Sequence, residues 1–365
     1  MLISGGGTGG HVYPALTVAE ALKARQADAE VLYVGSVEGM ERELVERAGW
    51  PYRGVDAGQV RGMSAWALLR NGRRLWRGVR QAQALLAEWP ADVVLVTGGY
   101  VTVPVALAAW LRRIPILIYL PDLEPGWAVR FLSRLATRVA VSFDRVQRFF
   151  DPKKVWVSGY PVRAGLFNVD RSAGYRALGL DPTLKTLLVF GGSRGAQSIN
   201  RAIGAILEDL LRECQIVHVT GTLDWPNVEA RRNELPPDLR VRYHIYPYMH
   251  EELMAAFATA DLVVSRAGAA TLAEWPALGL PSVLVPYPYS GQHQQRNADF
   301  MVEHGAAVCV RDADMSSELE PILMNLLRDP DRLKRMGEQA RALSQPEAAD
   351  KLAAELIRLS RQGEE

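Results

Sequence analysis

The chain has 365 residues, enough for two domains with separate cores, because a single core stops growing at roughly 250 to 300 residues. With 48% hydrophobic and 23% charged residues it has the makeup of a globular protein, which excludes a disordered or fibrous chain. Lysine plus arginine number 42 against 41 aspartate plus glutamate, so no overall field draws it to nucleic acid, and none is expected as a partner. Cys214 and Cys309 are too few for a disulfide framework or a zinc site and fit a reducing compartment. No apolar run reaches the roughly 18 residues that span a bilayer, and no signal peptide precedes the first glycine turn, so a cytoplasmic setting is expected.

In chain order, Met1 to Ser4 leaves room only for a short first strand before the turn Gly5-Gly6-Gly7-Thr8-Gly9-Gly10, after which helical periodicity begins. Short apolar runs then alternate with longer amphipathic stretches. Val31 to Val34, Asp92 to Val96, Ile116 to Tyr119 and Val139 to Val141 read as strands of a first half. Val157-Ser158-Gly159-Tyr160-Pro161 carries the turn formers of a domain crossing, placed near Gly159. Thr186 to Phe190, Gln215 to Thr220, Val241 to Tyr246, Asp261 to Val264 and Ser282 to Val285 read as strands of a second half. The alternation predicts an α/β protein of two Rossmann-like domains, each a doubly wound parallel sheet, facing a cleft. The expected domains are residues 1–158 and 159–344, with a late helix starting near Pro346 in the tail 345–365 packing back on the first.

Two glycine-rich turns stand about half a chain apart: the one at Gly5 to Gly10, and Gly191-Gly192-Ser193-Arg194-Gly195-Ala196 after the strand ending at Phe190. Glycine lets the backbone approach an anion, and the following helix aims free N–H groups and its positive end at it. Each half therefore reads as a phosphate-binding unit, as an enzyme moving a group from a nucleotide donor requires. The plain dinucleotide reading expects an acid at the end of the second strand; Val31 to Val34 runs instead into Gly35-Ser36. His11 at the helix mouth can take a proton near neutral pH or merely cap the turn. Glu274, one turn into the helix after Ser265-Arg266-Ala267-Gly268-Ala269, can accept both hydroxyls of a ribose or simply complement a helix dipole. Gln292-His293-Gln294-Gln295-Arg296-Asn297 offers amides suited to sugar hydroxyls, and equally reads as a polar helix start. Asp312-Ala313-Asp314 is read as a turn before a capping box at Ser317 to Glu320, so no metal site is assigned.

Gly6-Gly7-Thr8-Gly9-Gly10-His11, Gly98-Gly99-Tyr100, Gly191 to Ala196, Ser265 to Ala269 with Glu274, and His293-Gln294 with Asn297 together resemble, in order and spacing, the MurG family of bacterial UDP-N-acetylglucosamine transferases, which convert lipid I to lipid II in peptidoglycan synthesis. The resemblance implies an inverting, metal-independent glycosyltransferase of the GT-B class, without cofactor, whose nucleotide sugar is held mainly by the C-terminal domain. It implies that Ser193, Arg194, Gly195 and Ala196 hold the donor diphosphate, that Arg163 and the backbone at Met249 border the uracil, and that Glu274, near Ala269, binds the ribose. His293, Gln294 and Asn297 would meet the transferred sugar. Thr8, Gly9 and Gly10 would meet the acceptor's diphosphate, and His11 matches a histidine proposed as base.

Where the family has His-Glu-Gln-Asn after a strand, this chain has Tyr119-Leu120-Pro121-Asp122, so Asp122 stands in the place of an asparagine and is a second candidate base. The change leaves open another lipid acceptor such as diacylglycerol. A UDP-N-acetylglucosamine 2-epimerase and a non-catalytic UDP-sugar-binding protein are further alternatives. Arg70, Arg73, Arg74, Arg77 and Arg80 recur at helical spacing among Leu69, Trp76 and other apolar residues, with Trp66 before them and Trp110 beyond. Such a face suits lipid headgroups, where a polyprenyl-linked acceptor resides, or is an ordinary solvated helix face. The expected setting is peripheral, on the inner face of the plasma membrane.

Overall fold

The computed structural model describes residues 1–6, 9–57, 65–192, 195–250, 252–289 and 293–362, apart from the side chains of 65–71 and 164. The chain forms two compact units, Met1–Arg163 with Gln345–Glu365, and Ala164–Ser344. It leaves the first unit beyond Gly159, after Arg163.

The first unit holds a parallel sheet of β1 (Leu2–Gly5), β2 (Leu32–Ser36), β3 (Tyr52–Val55), β4 (Val94–Gly98), β5 (Ile116–Leu120), β6 (Arg138–Val141) and β7 (Val155–Val157) in the order β3-β2-β1-β4-β5-β6-β7. All residues of β4 and β5 are buried, the pattern of strands covered by helices on both faces. The final helix, Ala348–Gln362, joins this core with Leu352, Ala353, Leu356 and Leu359, spaced three and four apart. It starts two residues after Pro346. Arg25 to Asp350, at 2.9 Å, ties it to the first helix, Gly9–Arg25.

The second unit repeats the plan with β8 (Thr186–Phe190), β9 (Gln215–Val219), β10 (Tyr243–Tyr246), β11 (Leu262–Ser265), β12 (Ser282–Leu284) and β13 (Ala307–Cys309) in the order β10-β9-β8-β11-β12-β13. Every pairing in both sheets is parallel. β10 starts at Tyr243 rather than Val241, which is 70% exposed and caps the short helix Pro237–Arg240 before it. The helix after Asp312 also differs from expectation: it begins at Met315, so Ser317 lies inside it with its hydroxyl donating to the Asp314 carbonyl, and there is no capping box at Ser317.

In each sheet the chain reverses its winding direction once, between β1 and β4 and between β8 and β11. Open α/β sheets bind ligands outside the carboxyl ends of the strands at such switch points. Both glycine-rich turns leave there.

Candidate functional site

In the first unit Gly9 and Gly10 open the helix that follows β1, while Thr8 lies outside the described residues. The ends of β1 and β4 come together through Gly99, whose φ of 88° only glycine adopts cheaply and where a Cβ would collide with the Gly6 carbonyl. The His11 ring lies against Gly98: a Cβ there would sit 2.9 Å from His11 Cε1. Thr97 Oγ1 donates to the His11 carbonyl at 2.9 Å. His11 Nδ1 is buried and has no hydrogen-bond partner.

Asp122 follows β5 and is half-buried. With burial, its charge contributes to pushing the neighbouring Tyr119 phenol well above its ordinary range. Tyr119 Oη meets Ser142 Oγ at 2.7 Å, and its ring stands edge-on to Tyr160, 6.3 Å away. Tyr160 Oη in turn donates to the Gly10 carbonyl at 3.5 Å. Tyr119 and the glycine turn are thus linked through Tyr160 at one end of the sheet. Arg163 belongs to this unit, its guanidinium 5.3 Å over the Tyr13 ring. Among the residues assigned to the donor, it is the one grouped apart from the second unit's set.

In the second unit Gly195 has a φ of 73°, and a Cβ there would strike the Thr220 carbonyl, so the turn rests directly on the end of β9. Ala196 caps the helix Gln197–Ala205. Ser193 and Arg194 lie outside the described residues. Met249 is buried shortly after β10. From β11 the chain passes Ala269 in a 3-10 turn and reaches Glu274, half-buried at the start of the helix Glu274–Leu278. Its neighbour Trp275 fixes it: that indole is fully buried, 5.2 Å from Phe257 and 6.2 Å from Phe190, both edge-on. Phe190 ends β8, so one aromatic cluster holds both the glycine turn's strand and the Glu274 helix.

His293, half-buried, opens the helix His293–Glu303. Gln294 Oε1 accepts the Tyr287 backbone N–H at 2.9 Å, which leaves its NH2 free to donate elsewhere. Asn297 is 3% exposed, and its Nδ2 donates to the Ala267 carbonyl at 3.0 Å. It anchors the loop after β11 to this helix, a local role that the sequence reading did not anticipate.

The reading of residues 312–314 as a plain turn also missed a connection. Asp312 Oδ2 receives Arg266 Nη1 at 2.7 Å and Ser198 Oγ at 2.9 Å, while Arg266 Nη2 donates to Ser198 Oγ at 2.7 Å. Asp314 pairs with Arg311. A buried histidine escaped notice as well: His218 on β9 bridges Tyr243 Oη at 2.7 Å and Asn200 Oδ1 at 2.9 Å. Neither constellation has a signal in the local sequence. Among the described residues no cluster of three His, Cys, Asp or Glu is placed to hold a metal ion.

On the helix Ala65–Glu88, Arg73, Arg74, Arg77 and Arg80 are exposed, and Arg80 lies 5.8 Å over the ring of Trp76, itself 59% exposed. Trp110 is 49% exposed on the helix Thr102–Leu111, which packs against it. The side chains of Trp66, Leu69 and Arg70 lie outside the described residues. Among the described residues no helix is long and apolar enough to cross a membrane.

This geometry has close counterparts. The model of the glycosyltransferase family 28 N-terminal domain matches residues 1–141, and that of its C-terminal domain matches 186–352. A protein of Roseiflexus sp. named UDP-N-acetylglucosamine--N-acetylmuramyl-(pentapeptide) pyrophosphoryl-undecaprenol N-acetylglucosamine transferase is 43% identical, covering 96% of this chain and 92% of its own. One of the same name from Desulforudis audaxviator is 39% identical over 100% of this chain and 99% of its own. The crystal structure of Acinetobacter baumannii MurG superimposes with a TM-score of 0.75 at 28% identity, covering 98% of this chain and 99% of that one. Matched in both domains and aligned with relatives almost from end to end, this two-unit α/β chain of the GT-B class belongs to glycosyltransferase family 28.

Proposed function

We propose that the chain transfers N-acetylglucosamine from UDP-N-acetylglucosamine to the 4-hydroxyl of the muramyl sugar of lipid I, the polyprenyl-diphosphate-linked muramyl peptide, with inversion at the anomeric carbon. The observation that carries this reading is the pair of glycine turns, each leaving a switch-point strand for a helix N-terminus, in a chain 43% identical to a transferase named for this reaction. The donor belongs to the second unit. Its diphosphate meets Ser193, Arg194, Gly195 and Ala196, Glu274 accepts the ribose hydroxyls, and the uracil lies by the backbone at Met249. The free NH2 of Gln294 donates to the transferred sugar beside His293, with Asn297 holding the loop that frames it. The acceptor's diphosphate meets Thr8, Gly9 and Gly10.

In the reaction the acceptor oxygen bonds to the anomeric carbon, the bond from that carbon to the UDP oxygen breaks, and its electron pair leaves with UDP. The helix dipole and amide N–H groups at Gln197 offset the charge that builds there. The hydroxyl proton goes to a base, for which His11 at the helix mouth and Asp122 after β5 are the two candidates.

The acceptor's lipid requires a membrane surface. Arg73, Arg74, Arg77 and Arg80 with Trp76 and Trp110 meet anionic headgroups, extended by Trp66, Leu69 and Arg70, which makes the protein peripheral on the cytoplasmic face of the plasma membrane.

The altered segment Tyr119 to Asp122 supports one competing reading, a different lipid acceptor. Incubation with labelled UDP-N-acetylglucosamine and lipid I, diacylglycerol or no acceptor separates the possibilities. The proposal expects label in a disaccharide lipid with lipid I alone. Label on diacylglycerol, isomerisation without acceptor, or binding without turnover would each replace it.

A further inference from the structure

Arg266 and Asp312 stand 46 residues apart in sequence, yet both are largely enclosed: the side chains are 12% and 18% exposed. Two charges withdrawn from water this far need close pairing and further hydrogen bonds to be tolerated. They have both. Arg266 Nη1 donates to Asp312 Oδ2 at 2.7 Å and to the Val285 carbonyl at 3.2 Å, and Nη2 donates to Ser198 Oγ at 2.7 Å. Ser198 Oγ donates its own proton to Asp312 Oδ2 at 2.9 Å, which closes a triangle of three side chains. The guanidinium also lies 5.3 Å over the ring of Tyr287.

What matters is where the three corners are mounted. Ser198 is the second residue of the helix that follows the Gly191 to Ala196 turn. Arg266 begins the loop between β11 and Glu274, and Asp312 stands just after β13. Val285 and Tyr287 follow β12, and the Tyr287 N–H holds Gln294 Oε1. One guanidinium therefore joins the three loops that carry the diphosphate, ribose and sugar contacts assigned above. Its Nη1 and Nη2 both donate to protein acceptors in these loops, so it acts through what it holds.

We propose that Arg266, fixed by Asp312, is a positioning residue that sets the spacing of the diphosphate turn, the Glu274 helix and the Gln294 loop, and so tunes affinity for the UDP-sugar donor. The proposal rests on the donor assignment above. Planar, multidentate arginine suits this task, because it fixes several acceptors in one rigid plane.

The test uses Asp312→Asn and Ser198→Ala in the full-length protein, with UDP binding measured by calorimetry and steady-state kinetics with lipid I. Each substitution removes charge or one corner while leaving the rest of the core intact. The expected result is a rise of about tenfold in the UDP dissociation constant and in donor KM for each variant. Acceptor KM should stay within error of wild type, the melting temperature should fall in Asp312→Asn because the enclosed guanidinium loses its counter-charge, and Asp312→Glu should recover part of both losses. Because both residues act through Arg266, the double variant should weaken binding by less than the product of the two single effects. Unchanged UDP affinity in two folded variants overturns the inference and leaves the donor assignment standing. Equal weakening of donor and acceptor would mark the pair as merely structural and overturn it too. Failure of the wild-type protein to bind UDP removes the donor assignment itself, and the inference with it.

Discussion

Mild acid should weaken the second unit through a single side chain, His218. Asn200 Nδ2 donates to the Thr220 carbonyl at 2.9 Å and to Asp224 at 2.8 Å, so Asn200 Oδ1 is an acceptor and His218 Nε2 must carry the proton it receives. Nδ1 then accepts from the Tyr243 hydroxyl, and the neutral ring is satisfied on both sides. A second proton would have to enter a dry site where that hydroxyl faces it. Burial accordingly lowers the His218 pKa from 6.5 to about 3. Since the folded value lies below the unfolded one, the contribution is whole above pH 6.5 and is lost as the pH falls toward 3, at about 1.4 kcal/mol per pH unit. Between pH 7 and pH 5 the loss is about 2 kcal/mol. Urea unfolding of wild type and His218→Gln at several pH values across that interval isolates the effect, because glutamine does not titrate. Wild type should lose about 2 kcal/mol more than the variant over the interval, whatever the variant's stability at pH 7. Parallel losses in the two proteins would refute the burial argument.

Four further outcomes follow from the site. Gly195→Ala forces a side chain into a left-handed φ and against the Thr220 carbonyl; UDP titration should register at least about a tenfold weaker complex, and wild-type affinity would mean the turn does not meet the ligand. Glu274→Gln removes a charged acceptor, so donor KM in steady-state assays should rise about 10-fold to 100-fold with acceptor KM unaltered. Of Asp122→Asn and His11→Ala, the one that removes the base should lower kcat about 100-fold or more at unchanged donor KM; a small effect in both would place the base elsewhere. Replacing Trp76 and Arg80 with serine should reduce sedimentation with phosphatidylglycerol vesicles severalfold without affecting UDP binding, and undiminished sedimentation would remove that face from the membrane contact.

Central strands could be read from the amino acids because they are buried on both faces and appear as unbroken apolar runs, as in Ile116 to Leu120 and Thr186 to Phe190. The strands not anticipated are all at sheet edges. β3, Tyr-Arg-Gly-Val, exposes Arg53 and has no apolar run, while β7 and β13 are three residues each and too short to give a period. The glycine turns were visible because their chemistry is local: anion approach needs glycine followed at once by a helix. Arg266 with Asp312, and His218 with Asn200, were hidden for the opposite reason. Their partners lie 46 and 18 residues away, and only the parallel stacking of β9, β11 and β13 around β8 and β12 brings them together. The bond from Asn297 Nδ2 to the Ala267 carbonyl was hidden in the same way, because an amide in a polar helix start carries no mark of the carbonyl it will meet 30 residues away.

The most direct trial of the account is a crystal structure with UDP-N-acetylglucosamine bound. The diphosphate should lie against the amides of Gly191 to Ala196 at the start of the Gln197 helix, with both ribose hydroxyls on the Glu274 carboxylate. A nucleotide seated on the first glycine turn, or one whose ribose leaves Glu274 untouched, would contradict it.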